Sequence, residues 1–277
     1  MTNNYGPLFE NIKTQHDFRR KLNFEIHVVD HCNLNCKYCS HFSPIANPSY
    51  TDISGFESDL SLLQRVVSPG KIEKLRILGG EPLLHPQITD FIRIAYIFFP
   101  TVRRELVTNG LLIQKMTADF WSVCRETDTH IYVSRYPIDL DYDGIHLLLE
   151  AQGIKHIVGC VPKSFDRHPL SLHGAHHHLI NHLKCIESSG PYMQISNGGL
   201  YKCSYSAYAH HLNCRFSTSF DLKASDRLDL STIKSAKDIY RFLSRPIPFC
   251  GYCLLSHNTF HNTWGYSRGE LREWADQ

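Results

Sequence analysis

Asp30-His31-Cys32-Asn33-Leu34-Asn35-Cys36-Lys37-Tyr38-Cys39-Ser40 packs three thiols into one short loop, spaced Cys-x-x-x-Cys-x-x-Cys. Thiolates at such short, uneven intervals can converge on a single iron–sulfur cluster. A cubane cluster is ordinarily held by four thiolates. A loop that offers three leaves one iron open, much as catalytic zinc keeps a position for substrate. An open iron can chelate a small molecule through an amine and a carboxylate. The same spacing also suits a zinc site or part of a disulfide framework.

The flanking sequence supplies a scaffold for this loop. Phe24 to Asp30 is an apolar-rich run that reads as a buried parallel strand feeding a functional loop. Ser54-Gly-Phe-Glu57 has the form of a capping box, and Phe56, Leu60, Leu63 and Val67 follow at helical spacing up to Pro69-Gly70. Ile72 to Leu78 predicts a second strand running directly into Gly79-Gly80-Glu81-Pro82. A helix from Pro86 to about Phe99 stops at Pro100. Arg104 to Thr108 predicts a third strand ending at Asn109-Gly110, and Leu112 to about Cys124 a helix with Cys124 on its core face. Thr129 to Ser134 predicts a fourth strand, followed by a helix capped by Asp143 and ended by Gly153, and then a strand from Ile154 to Val158. Strands alternating with helices predict an α/β fold, a partial (β/α) barrel of about five to six parallel strands. In barrels, functional residues lie at the C-terminal ends of the strands. Those ends are Cys32–Cys39, Gly79–Pro82, Thr108–Asn109 and Ser134–Arg135.

Beyond Cys160 the pattern changes. The run His173-Gly-Ala-His-His-His178, with His168 and His182 nearby, reads as a polar loop or helix start rather than a metal site. Tyr192–Ser196 and Gly199–Cys203 flank Asn197-Gly198 and predict a hairpin. Ser231 reads as the cap of a helix running to about Leu243. Cys185, Cys203, Cys250 and Cys253 together offer a complete set of four thiols, for a second cluster or for a structural zinc. The organisation expected is an extension over residues 1–22, a barrel over 23–165 and a small α+β auxiliary unit over 166–277.

The Cys32, Cys36, Cys39 spacing, with Tyr38 before the last cysteine, resembles the radical S-adenosylmethionine superfamily. The resemblance implies a [4Fe-4S] cluster that binds S-adenosylmethionine, accepts an electron from an external donor such as a flavodoxin or ferredoxin, and yields a 5′-deoxyadenosyl radical. That radical takes a hydrogen atom from the substrate; the cofactor carries the hard chemistry and the protein places and shields it. By the same resemblance Gly79, Gly80, Glu81 and Pro82 form the segment that contacts the cofactor's amino group through backbone oxygens. Val107-Thr108-Asn109-Gly110 matches the strand end near ribose and cluster, and Ser134 and Arg135 match polar residues that reach ribose and carboxylate. The second half resembles the Twitch domain, a short relative of SPASM, which implies an auxiliary [4Fe-4S] cluster on Cys185, Cys203, Cys250 and Cys253. The layout is similar to small radical enzymes acting on sugars and aminocyclitols. His31–Ala46, Gly199–Asn213 and Pro246–Cys253 also resemble a radical group linked to bacterial surface-polysaccharide clusters.

Composition narrows the remaining classes. Across 277 residues the formal net charge is +2, so there is no basic footprint for nucleic acid. The longest apolar run, Ile94 to Phe99, is too short to span a bilayer. Ten cysteines without a signal-like start point to metal rather than disulfides and to a cytoplasmic protein. The expectation is a radical enzyme that dehydrogenates or epimerises a sugar-like small molecule. Cys214 is a candidate spare ligand or hydrogen-atom donor, with a buried thiol as the plainer reading. Peptide modification is the alternative, although the 22-residue lead is short for a peptide-recognition domain; a zinc or electron-transfer protein is the non-enzymatic reading. In the tail, His257, His261, Trp264 and Arg268 are candidate pocket residues.

Overall fold

The computed structural model describes residues 20–162, 165–174, 176–185, 192–255 and 260–276. His257 lies outside them. Alternating apolar residues start the fold: Leu22, Phe24 and Ile26 of β1 (Leu22–His27) join Phe56, Leu60 and Leu63 of α1 (Ile53–Val66) in the main core. The chain then alternates through β2 (Ile72–Leu78), α2 (Ile88–Phe98), β3 (Arg103–Thr108), α3 (Ala118–Glu126), β4 (His130–Val133), α4 (Tyr142–Ala151) and β5 (His156–Val158). These five strands pair in parallel in sequence order.

The helix starts differ from those expected. Asp52, not Ser54, caps α1 by accepting the Gly55 N–H at 2.9 Å. Thr117 caps α3 after a separate turn at Ile113–Lys115, and Asp141, not Asp143, caps α4. In each case more than one small polar residue stands near the helix start, and tertiary packing chooses which begins it.

The later elements are β6 (Phe165–Arg167), β7 (Leu170–Ser171), α5 (His178–Lys184), β8 (Met193–Ser196), β9 (Gly199–Tyr201), α6 (Ser204–Tyr208) and α7 (His210–Phe216). They continue with β10 (Arg227–Asp229), α8 (Ala236–Leu243), β11 (Phe260–Asn262) and β12 (Ala275–Asp276). The histidine-rich run opens α5 at His178. The hairpin forms as expected, with Asn197 at φ 49° and Gly198 at φ 71°, both left-handed as a tight two-residue turn requires. Ser235 rather than Ser231 caps α8. The hairpin does not open a separate sheet. β8 pairs in parallel with β1, giving the order β10-β9-β8-β1-β2-β3-β4-β5 among the described residues. The expected boundary near residue 166 is therefore no break in the sheet, because β1 offers backbone donors and acceptors on both edges and β8 satisfies the second.

At their C-terminal ends β1 and β2 approach as closely as backbone permits. The Gly80 N–H donates to the Val29 carbonyl at 2.7 Å. A Cβ on Gly79 would stand 2.2 Å from that same oxygen, and one on Gly80 would stand 2.0 Å from the His31 carbonyl. Both positions need glycine for strand-end packing. We expect Gly80→Ala to cost about 3 kcal/mol or more, since backbone must move to admit the methyl. Gly70→Ala, where nothing lies within 4 Å of the added carbon, should stay within about 0.5 kcal/mol of wild type. Equal urea midpoints for the two variants would refute this account.

Candidate active site

The loop after β1 carries Cys32, Cys36 and Cys39 to one wall of a cavity of about 400 Å³ at the strand ends. Its backbone is unusual: Asn35, Tyr38 and Phe42 all have left-handed φ, at 55°, 64° and 56°. Conformations this uncommon for bulky residues persist only where surroundings over-determine them. The surroundings are tail residues. The Lys37 N–H donates to the Gly265 carbonyl at 2.8 Å, Ser267 N–H to Asn35 at 2.8 Å, and the Trp274 indole N–H to the Cys39 carbonyl at 2.9 Å. Two of the sulfurs have nearby donors: Leu34 N–H at 3.4 Å and Asn109 Nδ2 at 3.6 Å on Cys32, and the Trp264 indole N–H at 3.2 Å on Cys36. Burial pushes the thiol of Cys32 up to about 11 and that of Cys36 to about 12, and raises that of Cys39. Without a metal these are neutral thiols; a bound iron would deprotonate them. Among the described residues no three His, Cys, Asp or Glu side chains gather as they would on one metal ion. A cubane takes each thiolate on a different iron, and three thiols, two of them with N–H groups on the sulfur, fit that donor set.

Glu81 does not face the cavity. Its side chain is fully buried and accepts from Thr108 Oγ1 at 2.7 Å, the Asn109 N–H at 2.8 Å and the Leu83 N–H at 3.1 Å. Its own N–H donates to the His31 carbonyl at 3.1 Å. One residue thus ties together the ends of β1, β2 and β3, its carboxylate holding β3 and its backbone N–H the chain after β1. Pro82 is buried at the start of the next turn. Gly79, Gly80, Thr108, Asn109 and Ser134 line the cavity with the cysteines and Tyr38. Arg135 is not among its lining; its guanidinium lies over the Tyr142 ring at 4.9 Å. The neighbouring Tyr136, which no sequence motif marked, takes the cavity position instead.

Residues 26–142 match the family model of the Radical SAM superfamily. The chain carries a radical S-adenosylmethionine domain. It is 40% identical over 109 residues to the GTP 3′,8-cyclase of Geobacter sulfurreducens, covering 38% of this chain and 32% of that protein. With the GTP 3′,8-cyclase of Helicobacter pylori it shares 31% over 103 residues, covering 37% and 32%. The match thus spans about a third of the length of these curated relatives. A solved structure, BtrN in complex with AdoMet and 2-DOIA, covers 85% of this chain and 94% of its own, with a TM-score of 0.50 at 15% identity. That likeness is one of fold, and it confirms the α/β arrangement of a partial barrel.

Beside the radical domain's cavity, Cys185, Cys203, Cys250 and Cys253 line a second, small apolar pocket together. Two residues that sequence reading missed bring them there. Asn181 of α5 donates to the carbonyls of Cys250 at 2.9 Å and Cys253 at 2.5 Å, pinning the helix that ends at Cys185. Lys202, next to Cys203, donates to the Leu243 carbonyl at 2.6 Å and to that of Arg245, and lies 3.3 Å from His182 Nδ1. A lysine at a helix C-terminus satisfies orphan carbonyls and complements the dipole; here it fixes α8 against the hairpin. Burial pulls its pKa down to about 8, while the nearby thiols of Cys250, Cys203 and Cys185 pull it back up.

Cys214 corrects these sequence expectations. It is exposed on α7, whose buried residues are His211 and Leu212, and it lines neither cysteine cavity. Deeper in the barrel a polar row crosses five parallel strands: Gln194, Glu25, Arg76, Glu105 and His130 are successive cross-strand neighbours. Arg76 Nε donates to Glu105 at 2.8 Å and Gln194 Nε2 to Glu25 at 2.7 Å, while the Arg76 guanidinium stacks 3.8 Å from the Tyr192 ring centre. Glu25 reaches the cavity wall. Alternation of apolar and charged residues in β1 and β2 was the available signal.

Two predictions follow from these ties. Burial raises the Glu81 carboxyl to about 7, against the three hydrogen bonds that favour its charged form. Because the folded value lies above the ordinary one, unfolding releases a proton between the two. Glu81 therefore favours the folded state most in acid, and the contribution is lost as pH rises toward 7. Between about pH 5 and 7.5 the melting temperature of wild type should fall more steeply than that of Glu81→Gln; parallel profiles would disprove it. Lys202→Met, which keeps length but strips every donor, should lose about 2–4 kcal/mol in chemical unfolding. On reconstitution it should also take up less of any metal that wild type binds at the second cysteine set; equal uptake would remove the pinning role.

Proposed function

We propose that this chain is a radical S-adenosylmethionine enzyme acting on a small, polar, sugar-like molecule. One observation carries the reading: three thiols, the Gly79–Gly80 backbone, Asn109 and Ser134 converge on one cavity at the strand ends. Cys32, Cys36 and Cys39 would hold a [4Fe-4S] cluster, and the cavity wall from Gly79 to Ser134 would hold S-adenosylmethionine. When bound, this pair supplies a 5′-deoxyadenosyl radical after uptake of one electron from an external donor of flavodoxin or ferredoxin type. The chain's own part is placement. Glu81 fixes the strand ends, Asn109 bridges Cys32 and Asn33, and the tail closes the loop. The row of Gln194, Glu25 and Arg76 supports a substrate rich in hydrogen-bonding groups.

Cys185, Cys203, Cys250 and Cys253 would hold an auxiliary [4Fe-4S] cluster in a Twitch-like unit, and an electron acceptor there makes dehydrogenation the favoured outcome. Epimerisation through Cys214 has no geometric support, since that thiol stands outside the cavity. A second reading, cyclisation of a purine nucleoside triphosphate, is favoured by the curated relatives named GTP 3′,8-cyclase. It rests on the core alone.

The test is iron and sulfide per chain after anaerobic reconstitution, with 5′-deoxyadenosine release under reduction, in wild type and a Cys32/Cys36/Cys39→Ala variant. Roughly eight irons falling to about four, with 5′-deoxyadenosine from wild type only, is the expected result. About four irons with bound zinc would assign the second site to structure. No iron in wild type would sink the radical reading. Stimulation of 5′-deoxyadenosine release by GTP, and not by sugars, would favour the cyclase reading.

A further inference from the structure

Among the three loop thiols, Cys36 differs in what touches its sulfur. Cys32 receives the Leu34 N–H and the Asn109 amide. Cys36 receives an aromatic side chain, the Trp264 indole N–H at 3.2 Å, and Tyr136 stands in the same cavity wall. The two come from distant parts of the chain: Tyr136 follows β4, and Trp264 follows β11.

Both are held in place. Gly265, next to Trp264, accepts the Lys37 N–H, and Tyr266 forms an antiparallel bridge with Cys36 itself. The Trp264 ring packs edge-on to Tyr266 at 4.8 Å and tilts toward Tyr136 at 6.2 Å. Tyr136 sits in the cavity wall beside the thiols.

Hydrogen bonds to cluster sulfurs are one of the protein's means of tuning an iron–sulfur potential. In the step concerned, one electron passes from the external one-electron reductant to the cluster. No bond to protein forms or breaks, and the added negative charge is shared by the thiolates. A donor aimed at a thiolate stabilises the reduced form more than the oxidised one. We propose that Trp264 is a positioning residue for electron uptake, raising the potential of the S-adenosylmethionine-binding cluster through its N–H donor on Cys36. This rests on the reading of Cys32, Cys36 and Cys39 as cluster ligands.

Trp264→Phe removes the donor and keeps an aromatic ring, and Tyr136→Phe changes the neighbouring wall without touching that bond. The assay is an anaerobic redox titration followed by electron paramagnetic resonance, with iron and sulfide counted in every sample. A Cys185/Cys203/Cys250/Cys253→Ala background removes overlap from the second site. Trp264→Phe should keep its iron and show a lower midpoint, so that at a fixed potential the reduced-to-oxidised ratio falls about fivefold, while Tyr136→Phe keeps the parent midpoint. Should Trp264→Phe fail to hold iron, Trp264→Met, a second side chain without a donor, takes its place. A full cluster with an unmoved midpoint in either Trp264 variant, or loss of iron in both, would overturn the inference and leave the proposed function standing. No cluster in the parent would overturn both.

Discussion

The fully buried carboxylate of Glu81 is the constraint on which the candidate site depends. It accepts hydrogen bonds from Thr108 and Asn109 at the end of β3 and from its own following turn, and its amide is tied to His31. Strand ends in a parallel sheet have no neighbour of their own to fix them; loops leave them in different directions. Here one residue collects three of them. It costs desolvation, which the elevated pKa expresses. In return Asn109 is set where its amide reaches both Asn33 and the Cys32 sulfur. The cysteine loop is thus held from below by β2 and β3, and its spacing alone would not aim it.

From above, the loop is held by the chain's last described segment. Gly265 and Asn35 exchange places as acceptors for Lys37 and Ser267, and Trp274 reaches the Cys39 carbonyl. Trp274 is itself almost wholly buried, in a second core with Phe42, Tyr205 and Phe249. That core joins the cysteine loop to the elements around the second cysteine set. The two halves are thus joined twice, by β8 on β1 and by this apolar cluster. A left-handed Tyr38 and Phe42 are tolerable because the loop is packed on both sides.

Much of this was legible in the sequence. Five strands and the glycine–asparagine hairpin follow from periodicity and turn chemistry, which are local. The three close cysteines and Gly79–Gly80 were visible because one loop or one close approach holds them. Helix starts were misplaced where two capping residues compete, as with Asp52 and Ser54. The sheet's continuation from β1 to β8 was not legible, since it joins Phe24 to Met193 across the whole chain. Lys202, Asn181, Tyr136 and Trp264 were harder still. Each acts through contacts with residues distant in sequence, and a lysine or an asparagine in a polar stretch has no period to mark it. Cys214 misled for the converse reason: proximity to the hairpin in sequence says nothing about the face of α7 it occupies.

The second cysteine set obeys a different balance from the first. Its pocket is small and apolar, and burial together with the neighbouring thiols of Cys250, Cys185 and Cys203 lifts Cys253 well above the ordinary thiol range. Four thiolates cannot share such a space without a compensating positive charge. Lys202 supplies a single cation, already engaged by the carbonyls that end α8. A metal centre there, as proposed above, would supply the rest and release the thiol protons on binding. β8 and the apolar core couple this half to the barrel, whereas the Glu81 tie draws every one of its partners from the barrel itself.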